Sequence, residues 1–155
     1  MMSDDKHYCC GHDTPELTVE GLVAAARSRG LRKTALLVAL FKLLLRLEKP
    51  VSVHTIQADP AIGDGCDTAT VYRLLGRLEE RGIVRRIGSH ERSTHYVLNH
   101  GHCHREYLIC TECGSVEALD FPCPVDRLEQ SIADKTGFKG LYHELQFFGV
   151  CPKCA

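Results

Sequence analysis

Much is scarce in this sequence, and each scarcity narrows what the chain can be. There is no tryptophan, and aromatic residues make up only 6%; neither fact excludes a globular fold. No run of about 18 apolar residues occurs, so a membrane-spanning helix is not expected. The longest apolar stretch, Ala35 to Leu45, is broken by Lys42 and ended by Arg46; it reads as a buried helix. The opening MMSDDKHYCCGHD lacks the basic-then-apolar pattern of a secretory signal, so a cytoplasmic location is expected. There is no low-complexity tract and no repeat beyond two Cys-x-x-Cys pairs. An excess of either charge is lacking too, for the net charge is −1.

That near-neutral total hides an uneven distribution. Residues 1–26 carry one lysine against five acids, residues 27–98 carry 13 Lys and Arg against 7 acids, and residues 99–155 carry 5 against 8. A neutral chain with a basic middle is not a general polyanion binder, but it can own one local anion-binding surface. A merely solvated basic face is the competing reading, and charge alone does not beat it.

Two residue types are abundant. Nine cysteines and nine histidines stand in 155 residues. An odd cysteine count leaves one thiol outside any complete disulfide framework. In a cytosolic chain, closely paired cysteines more often bind metal or do redox work. The length allows one ordinary domain or two small ones, and 44% hydrophobic with 25% charged residues is usual for a soluble fold.

Periodicity places the elements. Residues 1–15 read as a flexible tail. Helices are expected over Leu17 to Ser28, over Thr34 to Leu47, and from Ser52 to just before Pro60. The segment GDGCDTATVYRLLGRLEERGIV carries the clearest helix. Asp67 or Thr68 caps it, Val71, Leu74, Leu75 and Leu78 fall at i, i+3, i+4, i+7, and Gly82 closes it. Its other faces hold Thr68, Thr70, Tyr72, Arg73, Arg77 and Arg81. Two strand-like runs follow, Ile83 to Ile87 and Thr94 to Leu98, joined by the polar turn GSHERS. Helices followed by a hairpin is the order of a winged helix-turn-helix, whose recognition helix enters the major groove. Composition shifts at Asn99. Beyond it, strands at Tyr107 to Cys110 and Val116 to Leu119, a helix over Pro124 to Thr136 and a strand over Leu141 to Val150 form a small β-β-α-β unit. Such a unit buries little surface alone and needs a metal or a partner. The expected class is α+β: a winged-helix domain at 16–98, a linker or metal hinge at 99–106, and a small α/β dimerisation domain at 107–155.

Two groups of residues carry chemistry. Cys110-x-x-Cys113 and Cys151-x-x-Cys154 are two knuckles of the kind that hold a tetrahedral, closed, all-thiolate structural Zn(II). Redox dithiols or disulfides are the competing readings. The second group lies in NHGHCHREYLIC. On an extended segment alternate residues share a face, so His102, His104 and Glu106 can point together, beside Cys103. His90 and His95 come from the wing and His143 from the last strand. His95, His102, Cys103, His104, Glu106 and His143 are thus candidates for a regulatory divalent metal between the domains, with imidazole and thiolate favouring Zn(II). A solvated His-rich linker is the alternative. His7, Cys9, Cys10 and His12 in the tail read as adventitious, and Cys66 and Cys123 as lone small residues rather than ligands.

With these residues in view, the chain resembles the ferric uptake regulator family, which includes iron, zinc, manganese and peroxide sensors. The resemblance rests on GLRKT at 30–34, DTATVYRLLGRLEERGIV at 67–84, LICTECG at 108–114, KTGF at 135–138 and the final CPKC. It implies a DNA-binding winged helix, a dimerisation domain, metal-activated repression, and Tyr72 and Arg73 at the DNA interface. It also exposes departures. Ala35-Leu36-Leu37 stands where the family has an arginine, and Pro50, Arg105, Tyr107 and Ala118 occupy positions of the usual sensory ligands. The family's accessory site is matched by His104, Glu106 and His143, with its fourth ligand near Val125 and Asp126 as the nearest carboxylate. A cysteine near the sensory region, Cys103, looks most like the zinc branch.

The expected function is a cytoplasmic, non-enzymatic, metal-responsive repressor that binds operator DNA as a homodimer and senses zinc. Lys33, Arg73 and Arg77 would contact phosphates or bases, with Thr68, Thr70 and Tyr72 on the same helix. Arg85, Arg86 and Arg92 on the wing would contact phosphates. A peroxide- or iron/manganese-sensing regulator, or a thiol redox protein of another class, are the alternatives.

Overall fold

In a computed structural model of the chain, residues 17–88, 94–99, 105–119, 121 and 123–155 are described. The tail, most of the wing turn and residues 100–104 lie outside them. Helix α1, Val19–Ser28, is capped by Thr18, whose hydroxyl accepts from Gly21 N–H at 3.1 Å. Helix α2, Ala35–Leu47, is capped in the same way by Thr34 on Leu37 N–H. It buries Leu37, Leu40, Phe41, Leu43 and Leu44. Each such side chain contributes roughly 1.5–3 kcal/mol through removal from water.

The next stretch differs from expectation. A two-residue strand β1, Val51–Ser52, precedes helix α3, Val53–Gln57, and a further turn of helix α4, Pro60–Gly63, follows. Asp59 starts α4, accepting from Ala61 N–H, and Pro60 stands at its first position, where its missing N–H is no loss. Arg46 of α2 ties the turn down through a 2.6 Å ion pair with Asp59. Gly63 is required here: a Cβ would lie 2.2 Å from the Gln57 carbonyl oxygen.

Helix α5, Thr68–Glu80, is capped by Asp67, which accepts from Thr70 N–H at 2.6 Å. It buries Val71, Leu75 and Leu78. Strands β2, Val84–Ile87, and β3, His95–Leu98, pair antiparallel, and β1 adds to β3, giving the order β1-β3-β2. Helices on a three-stranded wing sheet make a winged helix-turn-helix.

The C-terminal part holds β4, Tyr107–Cys110, β5, Val116–Ala118, helix α6, Asp126–Thr136, and β6, Gln146–Gly149. The sheet order is β5-β4-β6, with β4 and β6 parallel across the α6 crossover. The expected last strand, Leu141 to Val150, is cut to the four residues of β6. Residues 141–145 precede it without strand structure, so His143 sits on the approach to β6 rather than in it. No residue of α6 is fully buried.

Two clusters of buried side chains result. The large one joins α1 to α5 with the wing. The small one joins Ile87 and Val97 of the wing to Tyr107 and Ile109 of β4, so the two halves share an apolar seam. Polar contacts follow it. Gly88 N–H donates to Gln146 Oε1 at 3.0 Å, and Arg85 donates to the Arg105 carbonyl at 2.9 Å.

Candidate metal centres and DNA-facing surface

The parallel pairing of β4 with β6 brings the C-terminal ends of both strands to one place. Cys110 is the last residue of β4, Cys113 lies in the turn after it, and Cys151 and Cys154 follow β6. The four sulfurs lie within 4.8 Å of one another, and Cys113 and Cys151 are 3.8 Å apart. Gly114, with φ +70°, lets the first knuckle turn tightly.

The surrounding backbone welcomes negative charge. Cys113 N–H and Cys151 N–H both point at the Cys110 sulfur, at 3.5 and 3.3 Å. Those two N–H groups hold the Cys110 thiol down to about 6. Cys113 is lowered by its contact with Ser115, 3.2 Å away. Cys154 is pushed up to about 12 by the neighbouring sulfurs of Cys151 and Cys113, because a further anion beside theirs is unfavourable. Four cysteine sulfurs at this spacing can all ionise only beside a cation, and the donor set suits Zn(II).

A second group forms away from it. Ligand atoms of Glu106, Cys123 and His143 lie within 4.8 Å of one another. The Cys123 sulfur is 3.1 Å from His143 Nε2, and Glu106 Oε1 is 3.8 Å from the same nitrogen. His143 Nδ1 pairs with Glu129 Oε2 of α6. This corrects the expectation that Cys123 stands alone. Neither Cys123 nor Glu129 carries a spacing signal, since each meets its partners only through the fold. Asp126 starts α6 with an exposed side chain and is not in the group. His95 lies in β3 opposite Ser52 and Ile87, and among the described residues it joins neither group. His90, His102, Cys103 and His104 fall outside the described residues.

Helix α5 turns its other face outward. Thr68, Tyr72, Arg73 and Arg77 are exposed, Tyr72 by 50%. Half of that ring stands in solvent on a helix that buries Val71, Leu75 and Leu78. Thr70, half-buried, accepts from Arg73 Nη2 at 2.9 Å, and Gln57 of α3 donates to the Thr68 hydroxyl at 2.8 Å. Lys33, before α2, is exposed. Arg86 faces out, paired with Glu79 at 2.8 Å.

Arg85 does not share that placement. Its side chain is only 12% exposed, lies 3.8 Å from Glu144 and sits 5.5 Å over the Tyr107 ring. The alternation of a strand explains it: Arg86 faces solvent, so its neighbour faces the C-terminal sheet. Arg85, expected at a phosphate, here makes its contacts between the two halves.

The Ferric uptake regulator family model matches residues 29–148. The chain belongs to the ferric uptake regulator family. Curated members include the ferric uptake regulation protein of Campylobacter jejuni, 30% identical over 90% of this chain and 89% of that protein. The protein of that name from Legionella pneumophila is 33% identical over 59% of this chain, and the match spans 66% of its length. Among solved structures, the ferric uptake regulator from Francisella tularensis with iron superposes with a TM-score of 0.61. It is 27% identical and covers 81% of this chain and 95% of that one. The family consists of transcription regulators that respond to metals. None of the described helices is long and apolar enough to cross a membrane.

Proposed function

We propose that this family member is a cytoplasmic, metal-responsive transcriptional repressor that binds operator DNA as a homodimer and senses Zn(II). The observation that carries the reading is the outer face of α5, where Thr68, Tyr72, Arg73 and Arg77 stand exposed above a buried apolar stripe. Such a helix reads the major groove. Lys33 and Arg86 supply flanking cations for phosphates, and Thr70 positions Arg73.

The domain division proposed is DNA binding at 16–98, a metal hinge at 99–106 and dimerisation at 107–155. Cys110, Cys113, Cys151 and Cys154 hold a structural zinc. The dimer reading is supported by Phe147 and Phe148 of β6 and Leu128 and Ile132 of α6, all exposed. A unit this small does not leave so much apolar surface in water without a partner. Metal bound near Glu106 fixes the spacing of two winged helices, so that both half-sites are met at once.

The curated relatives are named for ferric uptake, which favours iron as the second reading. DNA binding decides between them. Duplexes are selected from a random-sequence pool with Zn(II)-loaded protein, and affinity is then measured with Zn(II), Fe(II), Mn(II) and peroxide-treated Fe(II) protein. At least tenfold tightening by Zn(II) in preference to the others is expected. Tightening by Fe(II) alone, lost with peroxide, replaces zinc sensing with the iron or peroxide reading. No response to any metal overturns the regulator reading.

A further inference from the structure

Helix α5 and the wing meet at an ion pair that no sequence motif announces. Arg86 Nη2 of β2 lies 2.8 Å from Glu79 Oε2 in the last turn of α5. The same guanidinium stands 5.9 Å over the ring of Tyr96, its partner across the β2–β3 pairing. That ring is 3% exposed and so forms a fixed backing. The Arg86 side chain itself is 48% exposed and that of Glu79 32%. One edge of the guanidinium is thus held by the carboxylate, one face is backed by the ring, and the remaining N–H donors are open to solvent.

An acid is an odd choice at this place. Glu79 lies seven residues after Tyr72, so both stand on one side of α5, the side assigned above to DNA. A carboxylate close to phosphates opposes binding through its charge. One role for it is to accept from a cytosine amino group, as carboxylates do in the major groove. Its position in the last turn decides against that, because a recognition helix meets base edges with its N-terminal residues. The other role is to hold Arg86. A free arginine has many rotamers, and ordering one at an interface costs roughly two- to twelvefold in affinity. A guanidinium already fixed by Glu79 and Tyr96 has given up that freedom before DNA arrives. Arg85 is turned into the seam between the halves, which leaves Arg86 as the arginine of β2 that faces outward.

We propose that Glu79 is a positioning residue for DNA binding: through its ion pair it pre-organises Arg86 as a phosphate clamp on the wing. This role rests on the regulator reading above and adds to it the residue that aims the cation.

Glu79→Gln and Glu79→Ala separate position from charge. Both remove the same negative charge, but glutamine keeps an oxygen that accepts from Arg86 and alanine does not. Full-length, Zn(II)-loaded protein is titrated with the selected operator duplex and with an unrelated duplex. Glu79→Ala is expected to bind about three- to tenfold more weakly than Glu79→Gln. The loss is the same on both duplexes, since a phosphate carries no sequence. In an Arg86→Ala background the difference disappears. Equal affinity of the two single variants overturns the proposal. So does a difference that survives in Arg86→Ala, which makes Glu79 a structural residue of α5, and so does a loss confined to the operator, which gives Glu79 to base readout. Variants of Glu79 that misfold are bypassed by Arg86→Lys, which keeps the charge without the planar fork. Wild-type affinity in Arg86→Lys refutes a pre-organised clamp, and a loss of about threefold or more supports it. The two readings fail separately. Metal-tightened DNA binding with equal affinities for the two Glu79 variants removes this role and leaves the regulator standing. Binding indifferent to metals, with the difference between glutamine and alanine intact, supports the clamp and removes the metal response.

Discussion

Thr34 accepts the Leu37 N–H at 3.1 Å and so satisfies one of the orphan donors in the first turn of α2. Replacing it with alanine costs about 1 kcal/mol. Urea unfolding should show that loss as a lower midpoint at unchanged slope, and an unchanged midpoint would deny the cap its role. Caps of this kind are legible from sequence, because donor and acceptor are three residues apart. The four-cysteine group is legible for the same reason: each knuckle is local, and only the meeting of the two is left to the fold. Cys123 is not legible. It lies between two prolines, and its partners approach from the start of β4 and from ahead of β6. Arg85 is the reverse case. Its charge suggests DNA, while its burial against Tyr107 is decided by which side of β2 faces the other half of the molecule.

Among the elements, α5 is readable throughout, from the Asp67 cap to Gly82 with its φ of +65°. Its apolar period and its outward cations are two aspects of one helical repeat. Shorter elements escape such reading. β1 has two residues and exists through pairing with Tyr96 and His95; α4 has one turn, too short for any period. The wing sets up a contrast between neighbours. Arg77 on α5 should act through phosphate: Arg77→Ala weakens binding across all sequences and lowers the salt slope by about 1. Arg85→Ala should leave that slope unchanged and instead speed hydrogen exchange at β2 and at the start of β4. A drop in salt slope for Arg85→Ala would return that side chain to the DNA.

At the scale of the molecule the two halves are unequal. The N-terminal half owns the large buried cluster, while the C-terminal half keeps Tyr107, Ile109 and a few neighbours, much of that cluster borrowed from the wing. A metal held by the four cysteines would therefore substitute for a core. Cys113→Ser, or chelation, should give a two-step thermal transition by circular dichroism. The C-terminal unit melts first, and the helices of the N-terminal half keep their signal to higher temperature. A single unshifted transition would mean that the sheet stands without its metal.

One strand also acts as a mechanical part. Gln146 opens β6 and receives the Gly88 N–H at the base of the wing turn, and β6 ends at Gly149, just ahead of Cys151. Four residues, a strut of roughly 13 Å, run from the wing to the sulfur clamp. One end is bolted by cysteine, and the other bears on the part that would touch DNA. The outward Phe147 and Phe148 can change their chemistry without altering that span, whereas adding or deleting one residue shifts the bearing point by a full step and reverses its facing. The length of β6 is thus under a constraint of its own, separate from the side chains by which Gln146 meets the wing and Phe147 and Phe148 face outward.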